Sequence, residues 1–379
     1  MIVFFTNYIN HHQVYWLDEM YDLTDGDFVC VLSVGVPVER QKLGYNDFDR
    51  KYLLRAYESA ENQEQAVVLA KNADVAIFGA SSLPYQIERM KLGKLSFEVG
   101  ERWLKRGVLN LLSPRLLKNM WYYHTLFHNK PIYKLCSSAY AANDQYLLQS
   151  YKNRCYKWAY FTKVEECDID ALIANKSNQK TKILWCARYL DLKHPEMPIY
   201  LAKRLKDAGY EFELNMFGIG ELYNKMAVLC KKLGVDDVVC MRGSVPNEQM
   251  VEEMRGHNIF LFTSDKNEGW GAVLNEAMSS GCAVVASNEI GSVPFLVKDG
   301  ENGLIFKSKN LDSLYEKVVS LLENREQIAL LGRNAYYTML NLWSPKIAAK
   351  KILQLIDDLK NGKDTSIVEG PCSKALPLD

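Results

Sequence analysis

Two carboxylates, Glu268 and Glu276, frame Gly269-Trp270-Gly271-Ala272, and these residues have the types and spacing for binding a polar ligand. Apolar runs at 259–263 and 283–286 flank them, each with the length and composition of a buried parallel strand. The stretch 258–287 is therefore expected to fold as strand, tight turn, helix and strand, with Gly281 closing the helix. The two glycines allow close backbone approach, and a first helical turn leaves amide N–H groups unpaired at the positive end of the helix dipole. Such a start suits an anion, most often a phosphate. A carboxylate beside a phosphate does not bind the phosphate; it accepts hydrogen bonds from hydroxyl groups, as on a ribose or another sugar.

Other elements must bring partners to this turn. In open α/β sheets ligands bind beyond the carboxyl ends of the strands, so the residues that follow each strand-like run of the second half are the candidates. The run 183–186 leads to Arg188 and Lys193, the run 212–217 to Gly218-Ile219-Gly220-Glu221, and the run 238–241 to Arg242-Gly243-Ser244-Val245. Singly, each has a plain structural explanation. A Gly-x-Gly turn far more often opens a helix than holds a ligand, Arg188 and Lys193 could be solvated loop charges, and Glu276 could sit on an exposed helix face. Jointly, two cations and a helix start flanked by two carboxylates describe a site for a diphosphate carrying sugar hydroxyls at either end.

The chain has 379 residues, longer than one core usually grows, so two domains are expected. Strand signals at 2–6, 28–34, 75–78, 132–135 and 158–161 alternate with helical spacing such as 12–23, and the alternation restarts at 183. This pattern predicts an α/β protein of two doubly wound domains in tandem. The boundaries read as 1–164 for the first domain, 165–181 for a polar linker, 182–343 for the second, 344–362 for a last helix and 363–379 for a polar tail without structure. The polar, turn-rich stretch 35–50 reads as a long loop. Equal numbers of basic and acidic side chains, 46 of each, argue against a nucleic-acid binder. Nine cysteines without a Cys-x-x-Cys pair indicate neither a disulfide framework nor a zinc ribbon, and fit a reducing cytoplasm.

The second half resembles the nucleotide-sugar domain of the retaining GT-B glycosyltransferases of family four. The resemblance rests on Glu268 and Glu276 in a Glu-x7-Glu pattern, Arg188 with Lys193, 218–221, 242–245 and Asp299-Gly300-Glu301-Asn302-Gly303-Leu304, in the family's order over 181–306. It implies two Rossmann-like domains facing a central cleft, with the last helix crossing back to the first domain. It also implies roles: Arg188 and Lys193 hold the donor diphosphate, Glu276 the ribose hydroxyls, and Glu268 the hydroxyls of the transferred sugar. The amides of Trp270, Gly271 and Ala272, beside Gly269, would meet the distal phosphate, and 243–245 the nucleobase, leaving uracil and guanine unresolved. No metal or other cofactor is required on this reading, because lysine and arginine supply the charge. One departure is Phe295 after Pro294, where the family commonly carries a glutamate. The expected activity is retaining transfer from a UDP-sugar, or a GDP-sugar, to a glycan or lipid-linked saccharide in cell-surface polysaccharide synthesis; a sugar epimerase and a non-catalytic binding module are the alternatives. The competing GT-A fold would need a metal-binding Asp-x-Asp, and Asp25-Gly26-Asp27 and Asp47-Phe48-Asp49 read better as solvated turns.

For the acceptor, the first half offers His11 and His12 after the first strand, and Glu98 and Glu101 beyond a later one. The segment 102–123 interleaves Trp103, Leu104, Val108, Leu109, Leu111, Leu112, Leu116, Leu117 and Trp121 with Arg102, Lys105, Arg106, Arg115 and Lys118. A basic, Trp-rich amphipathic segment can lie at an anionic membrane surface, which would place the protein on the inner face of the membrane. A pair of core-packing helices broken at Ser113-Pro114 is the simpler explanation.

Overall fold

The structure, a computed structural model, describes residues 1–38, 47–80, 83–105, 107–177 and 180–378. The chain divides into two compact units, Met1–Lys163 with Trp343–Asp379, and Val164–Leu342. The expected loop 35–50 falls partly on 39–46, and Arg106 of the amphipathic segment also lies outside the described residues.

The first unit is built on a seven-stranded parallel sheet: β1 (Ile2–Thr6), β2 (Phe28–Leu32), β3 (Leu53–Arg55), β4 (Val75–Phe78), β5 (Ser96–Gly100), β6 (Ile132–Cys136) and β7 (Cys155–Lys157), in the order β3-β2-β1-β4-β5-β6-β7. Ile2 lies level with Phe28 on one side and Val75 on the other. The sequences of β1 and β4 are apolar and buried at nearly every position because helices cover both faces. Val3, Phe5, Val31, Ala76 and Phe78 form the core on one face.

The second unit carries a six-stranded parallel sheet: β8 (Lys182–Cys186), β9 (Glu213–Phe217), β10 (Val239–Gly243), β11 (Ile259–Phe262), β12 (Ala283–Ser287) and β13 (Leu304–Phe306), in the order β10-β9-β8-β11-β12-β13. Trp185, Tyr189, Leu214, Leu261 and Val285 belong to one buried cluster. In each sheet the direction of winding reverses once, between β1 and β4 and between β8 and β11. At such a reversal the connecting segments leave in opposite directions, so a crevice opens beyond the carboxyl ends of the two strands.

Several sequence expectations need correction. The expected linker 165–181 is part of the second unit and contains a helix, Ile169–Ser177. Ile169 and Ile173, one helical turn apart, pack on Tyr336, and that single pair is too sparse to read as a period. Lys176 is buried, and its Nζ donates to the carbonyls of Ser280 (2.6 Å) and Gly281 (3.2 Å), which a helix end leaves unpaired. The expected unstructured tail is an antiparallel cover for the edge of β7. Cys372 N donates to Lys157 O (2.8 Å), Lys157 N to Ser373 O (2.8 Å) and Ala375 N to Cys155 O (3.0 Å). Edge pairing uses main-chain groups, so a tail without apolar periodicity can still be ordered by it. The run 158–161 is not a strand, whereas β3, β7 and β13 show no strand signal because each is only three residues long, and the strand expected before Glu98 is β5, which contains it. The last helix, Pro345–Lys360, belongs to the first unit and packs on the helix Val14–Leu23 through its buried face of Ala348, Ala349, Ile352 and Leu355.

Candidate active site

The crevice of the second unit is walled by the loop 187–195 after β8 and the loop 263–272 after β11. These loops are tied together by main-chain and buried polar bonds. Trp185 Nε1 donates to Thr263 Oγ1 (2.9 Å), Thr263 Oγ1 donates to Lys193 O (2.7 Å), and Asp265 N donates to Leu192 O (3.0 Å). Glu268 N donates in turn to Asp265 O (2.9 Å). The result brings together two residues singled out from sequence: the ammonium of Lys193 donates to Glu268 Oε2, and Ser264 Oγ donates to the same oxygen (3.0 Å). Both side chains of the ion pair are 13% exposed, so the pair is reachable by a ligand yet shielded enough to be strong. Arg188 is exposed on the same loop, with no hydrogen-bond or ion-pair partner for its guanidinium among the described residues.

Gly218 and Gly220 have an internal role. They adopt φ of +131° and +157°, and a Cβ on Gly218 would stand 1.9 Å from Ala187 O. The turn after β9 thus lies directly on the loop carrying Arg188, where Ala187 N donates to Phe217 O (3.1 Å) and Tyr189 N to Ile219 O (3.0 Å). Their close approach is to backbone of this chain, which holds Arg188 in place. Gly271 is similar: at φ +79° a Cβ would meet the Phe262 ring at 2.2 Å.

The helix after the glycine turn is shorter than expected, Val273–Ser279, and starts after Ala272 rather than at the glycines. Trp270 is buried, with Nε1 donating to Asn275 Oδ1 (2.9 Å) and its ring 6.3 Å from that of Phe295. The residue that departs from the family pattern therefore packs toward this turn. Glu276 sits on the helix, 8% exposed, and burial pushes its carboxyl up to about 7, opposed by a hydrogen bond from Asn247. Arg242 is a correction. Its Nε donates to Asn215 Oδ1 (2.7 Å) and its Nη2 to Glu213 (3.3 Å), so it points back along β9, away from the carboxyl end where a ligand would bind. Gly243 at φ +70° receives Gly218 N on its carbonyl (2.7 Å), with Ser244 exposed and Val245 half-buried beside it.

Sequence reasoning missed a second polar set beside Lys193. His194 has a left-handed backbone (φ 48°, ψ 57°), and its ring nitrogens face Glu196 Oε1 (3.1 Å) and Asp265 Oδ2 (3.3 Å). Asp265 is 6% exposed and also pairs with Lys309 (3.0 Å). His194 follows Lys193 in the chain, but nothing in sequence places Asp265 and Lys309 around it.

In the first unit, His11 and His12 follow β1, at that sheet's own reversal point. Their rings are 3.8 Å apart, and His12 is stacked near Tyr160, 6.0 Å away and 4° from parallel. Tyr160 donates to Glu101 Oε1 (2.7 Å), and Lys105 pairs with Glu101. Burial and the adjacent His11 push His12 down to about 3, so it is a neutral imidazole. Glu98 lies within β5 rather than after a strand, and it pairs with Lys134, whose side chain is fully buried. The segment 102–123 forms a 3-10 turn, Gly107–Leu112, and a helix, Pro114–Met120, continued by a π-helical turn, Trp121–Leu126. Leu116 is buried, while Leu109, Leu112, Leu117 and Trp121 are each more than half exposed. Arg102 pairs with Asp144 (3.2 Å) and Lys105 with Glu101, leaving Arg115 and Lys118 as the exposed cations described there. No described helix is long and apolar enough to cross a membrane.

Residues 170–338 match the family model described as glycosyl transferases group 1. An uncharacterized glycosyltransferase of Methanocaldococcus jannaschii is 25% identical over 207 residues, 54% of this chain and 52% of that protein. A poly(glycerol-phosphate) alpha-glucosyltransferase of Bacillus subtilis is 25% identical over 168 residues, 44% of this chain and 24% of that protein. The matched region spans about half or less of the length of these relatives. The Anabaena protein HepE, solved in complex with UDP, superposes with a TM-score of 0.66 at 14% identity, over 95% of this chain and 99% of that one. The fold is accordingly GT-B, an α/β architecture of two Rossmann-like domains, and the stretch that matches the family model lies within the second unit.

Proposed function

We propose that this GT-B chain is a retaining glycosyltransferase that moves a sugar from a nucleoside diphosphate sugar, UDP in preference to GDP, to a saccharide or lipid-linked saccharide of a cell-surface glycan. The observation that carries the proposal is the Lys193–Glu268 ion pair at the reversal point of the second sheet, with exposed Arg188 on one side and buried Glu276 on the next helix. When a donor enters, its diphosphate draws the Lys193 ammonium, and Glu268 is released to accept hydrogen bonds from the sugar hydroxyls. Glu276 accepts from the ribose.

As the bond between the anomeric carbon and the phosphate oxygen breaks, negative charge grows on the diphosphate and positive charge on the sugar. Arg188 and Lys193 oppose the first and so favour the transition state over the ground state. The acceptor hydroxyl forms the new bond on the same face and gives its proton to the departing phosphate oxygen. These two cations can also replace the charge of a divalent ion, so turnover should survive EDTA. His11, His12 and Glu101 are the acceptor-side candidates; Glu98, held by Lys134, is less available. Leu109, Leu112, Leu117 and Trp121, with Arg115 and Lys118, would rest the first unit on the anionic inner face of the membrane. Supporting this, no Asp or Glu occurs between Arg102 and Asn143.

Incubation with a panel of UDP- and GDP-sugars tests the activity. Nucleotide release that depends on acceptor supports transfer, whereas donor isomerised without acceptor would establish the epimerase alternative. UDP at 100 times its dissociation constant should stabilise the protein by about 2.7 kcal/mol in a thermal shift; stabilisation by GDP alone would overturn the donor preference. Co-sedimentation with phosphatidylglycerol vesicles at low salt tests the membrane proposal, and no binding would remove it.

A further inference from the structure

We propose that His194, as an imidazolium bridging Glu196 and Asp265, is the positioning residue that fixes where the Lys193 ammonium meets the donor diphosphate. The proposal rests on the glycosyl-transfer reading of the same crevice. Both ring nitrogens face carboxylate oxygens, at 3.1 and 3.3 Å. A neutral imidazole has one N–H and would turn a lone pair toward one of those carboxylates; the protonated ring donates to both. Asp265 is itself fixed: its Oδ1 accepts from Asn267 N (2.9 Å) and Nδ2 (3.0 Å), and its Oδ2 is paired with Lys309. Its main chain holds both walls of the crevice, donating to Leu192 O and accepting from Glu268 N. The His194 ring therefore grips the residue that joins the Lys193 loop to the Glu268 turn.

Among the described residues His194 is one of six non-glycine residues with positive φ, a conformation that is uncommon outside glycine although histidine enters it more readily than most. The charged groups around it are Glu196 on its own turn, Asp265 after β11, Lys309 before the helix Leu311–Glu323, and Lys193 with Glu268 beside them; Lys225 acts on Glu196 from the helix Tyr223–Leu233. The two carboxylates hold the His194 ring above the ordinary histidine range. A cation held this way is present below that raised value and is lost as pH rises through it. The positioned state of Lys193 should follow the same course, giving turnover a limb that falls on the alkaline side.

The experiment compares wild-type protein with His194→Gly, His194→Asn and His194→Arg, measuring transfer across pH, thermal stability, and the titration of the His194 ring by NMR. Glycine and asparagine both tolerate the left-handed backbone, so both should fold with a melting temperature near that of wild type. Both should lower kcat about ten- to a hundredfold at neutral pH, as expected when a reacting cation is misplaced by about 1 Å, with a smaller change in KM. Both should lose the alkaline limb. Arginine, a cation that does not titrate in this range, should recover part of kcat and move the limb to higher pH. In wild type the NMR titration should run above about 6.5. If the glycine and asparagine variants fold and keep the wild-type pH profile, or if the ring titrates below the ordinary range, the proposal is wrong. If wild type transfers no sugar from any donor, the glycosyl-transfer reading fails instead, while the NMR titration still decides the state of the ring.

Discussion

Glu276 offers a stability measurement that is also a measurement of function. Its carboxyl is raised from the ordinary 4.5 to about 7 by burial. At about 1.4 kcal/mol per pH unit, ionising it in the folded protein costs roughly 3 kcal/mol. For an acid whose folded value lies above its unfolded value, that cost is absent below the unfolded value, grows between the two, and is complete above the folded value. Glu276→Gln removes the charge and keeps the shape, so the variant should become progressively more stable than wild type as pH rises from about 4.5 to about 7, then hold a gain of up to about 3 kcal/mol. In a unit of this size, that is a rise in melting temperature of roughly 6–12 °C. Calorimetry of both proteins at closely spaced pH values, without nucleotide, reads the difference directly. The same variant should lose most of the stabilisation that wild type gains from UDP, because an amide presents one acceptor oxygen where a carboxylate presents two. A variant less stable than wild type at about pH 8, or a difference that does not change with pH, would refute the account of a carboxylate kept buried for a ligand.

Glu268→Ala should lower turnover by about a hundred- to a thousandfold while nucleotide affinity changes little, since Glu268 is assigned to the transferred sugar; isothermal titration beside kinetics separates the two. Lys193→Ala should weaken both, and a variant with unchanged UDP affinity would remove Lys193 from the diphosphate site. Gly218→Ala forces a Cβ onto Ala187 O, so it should lower the melting temperature by several degrees and displace Arg188; a wild-type melting curve would refute the packing role. A chain ending at Gly362 loses the main-chain bonds to β7 and exposes that edge, so light scattering should show aggregation at concentrations where the full chain stays dispersed.

Most strands of both sheets were legible in sequence, plainest where the apolar run is nearly unbroken, as at 2–6, 75–78, 183–186, 259–263 and 283–286, because burial on both faces leaves no alternation to dilute the signal; 28–34, 132–135, 212–217 and 238–241 were legible too, although Lys134, Glu213 and Asn215 interrupt two of them. What escaped was stabilised by partners distant in the chain. Ile169 and Ile173 make a helix because Tyr336 waits for them, and the tail is ordered because β7 has a free edge. The sequence likewise supplied the residues of the crevice, since Arg188, Lys193, Glu268 and Glu276 each follow or adjoin a recognisable strand. It also placed Arg242 among them, because a residue at a strand end looks the same in sequence whether its side chain turns toward the crevice or back to Asn215 and Glu213.

By itself, then, the sequence determined the alternation of elements, the α/β class and the chemical types available beyond the strand ends, all properties set by local composition and periodicity. Tertiary structure alone decided that Lys193 meets Glu268, that Gly218 and Gly220 serve the backbone of the neighbouring loop, and that His194 is gripped between two carboxylates. Those facts depend on strand order, which sets β8 beside β11 although more than seventy residues separate Lys193 from Glu268. No local pattern encodes that neighbourhood.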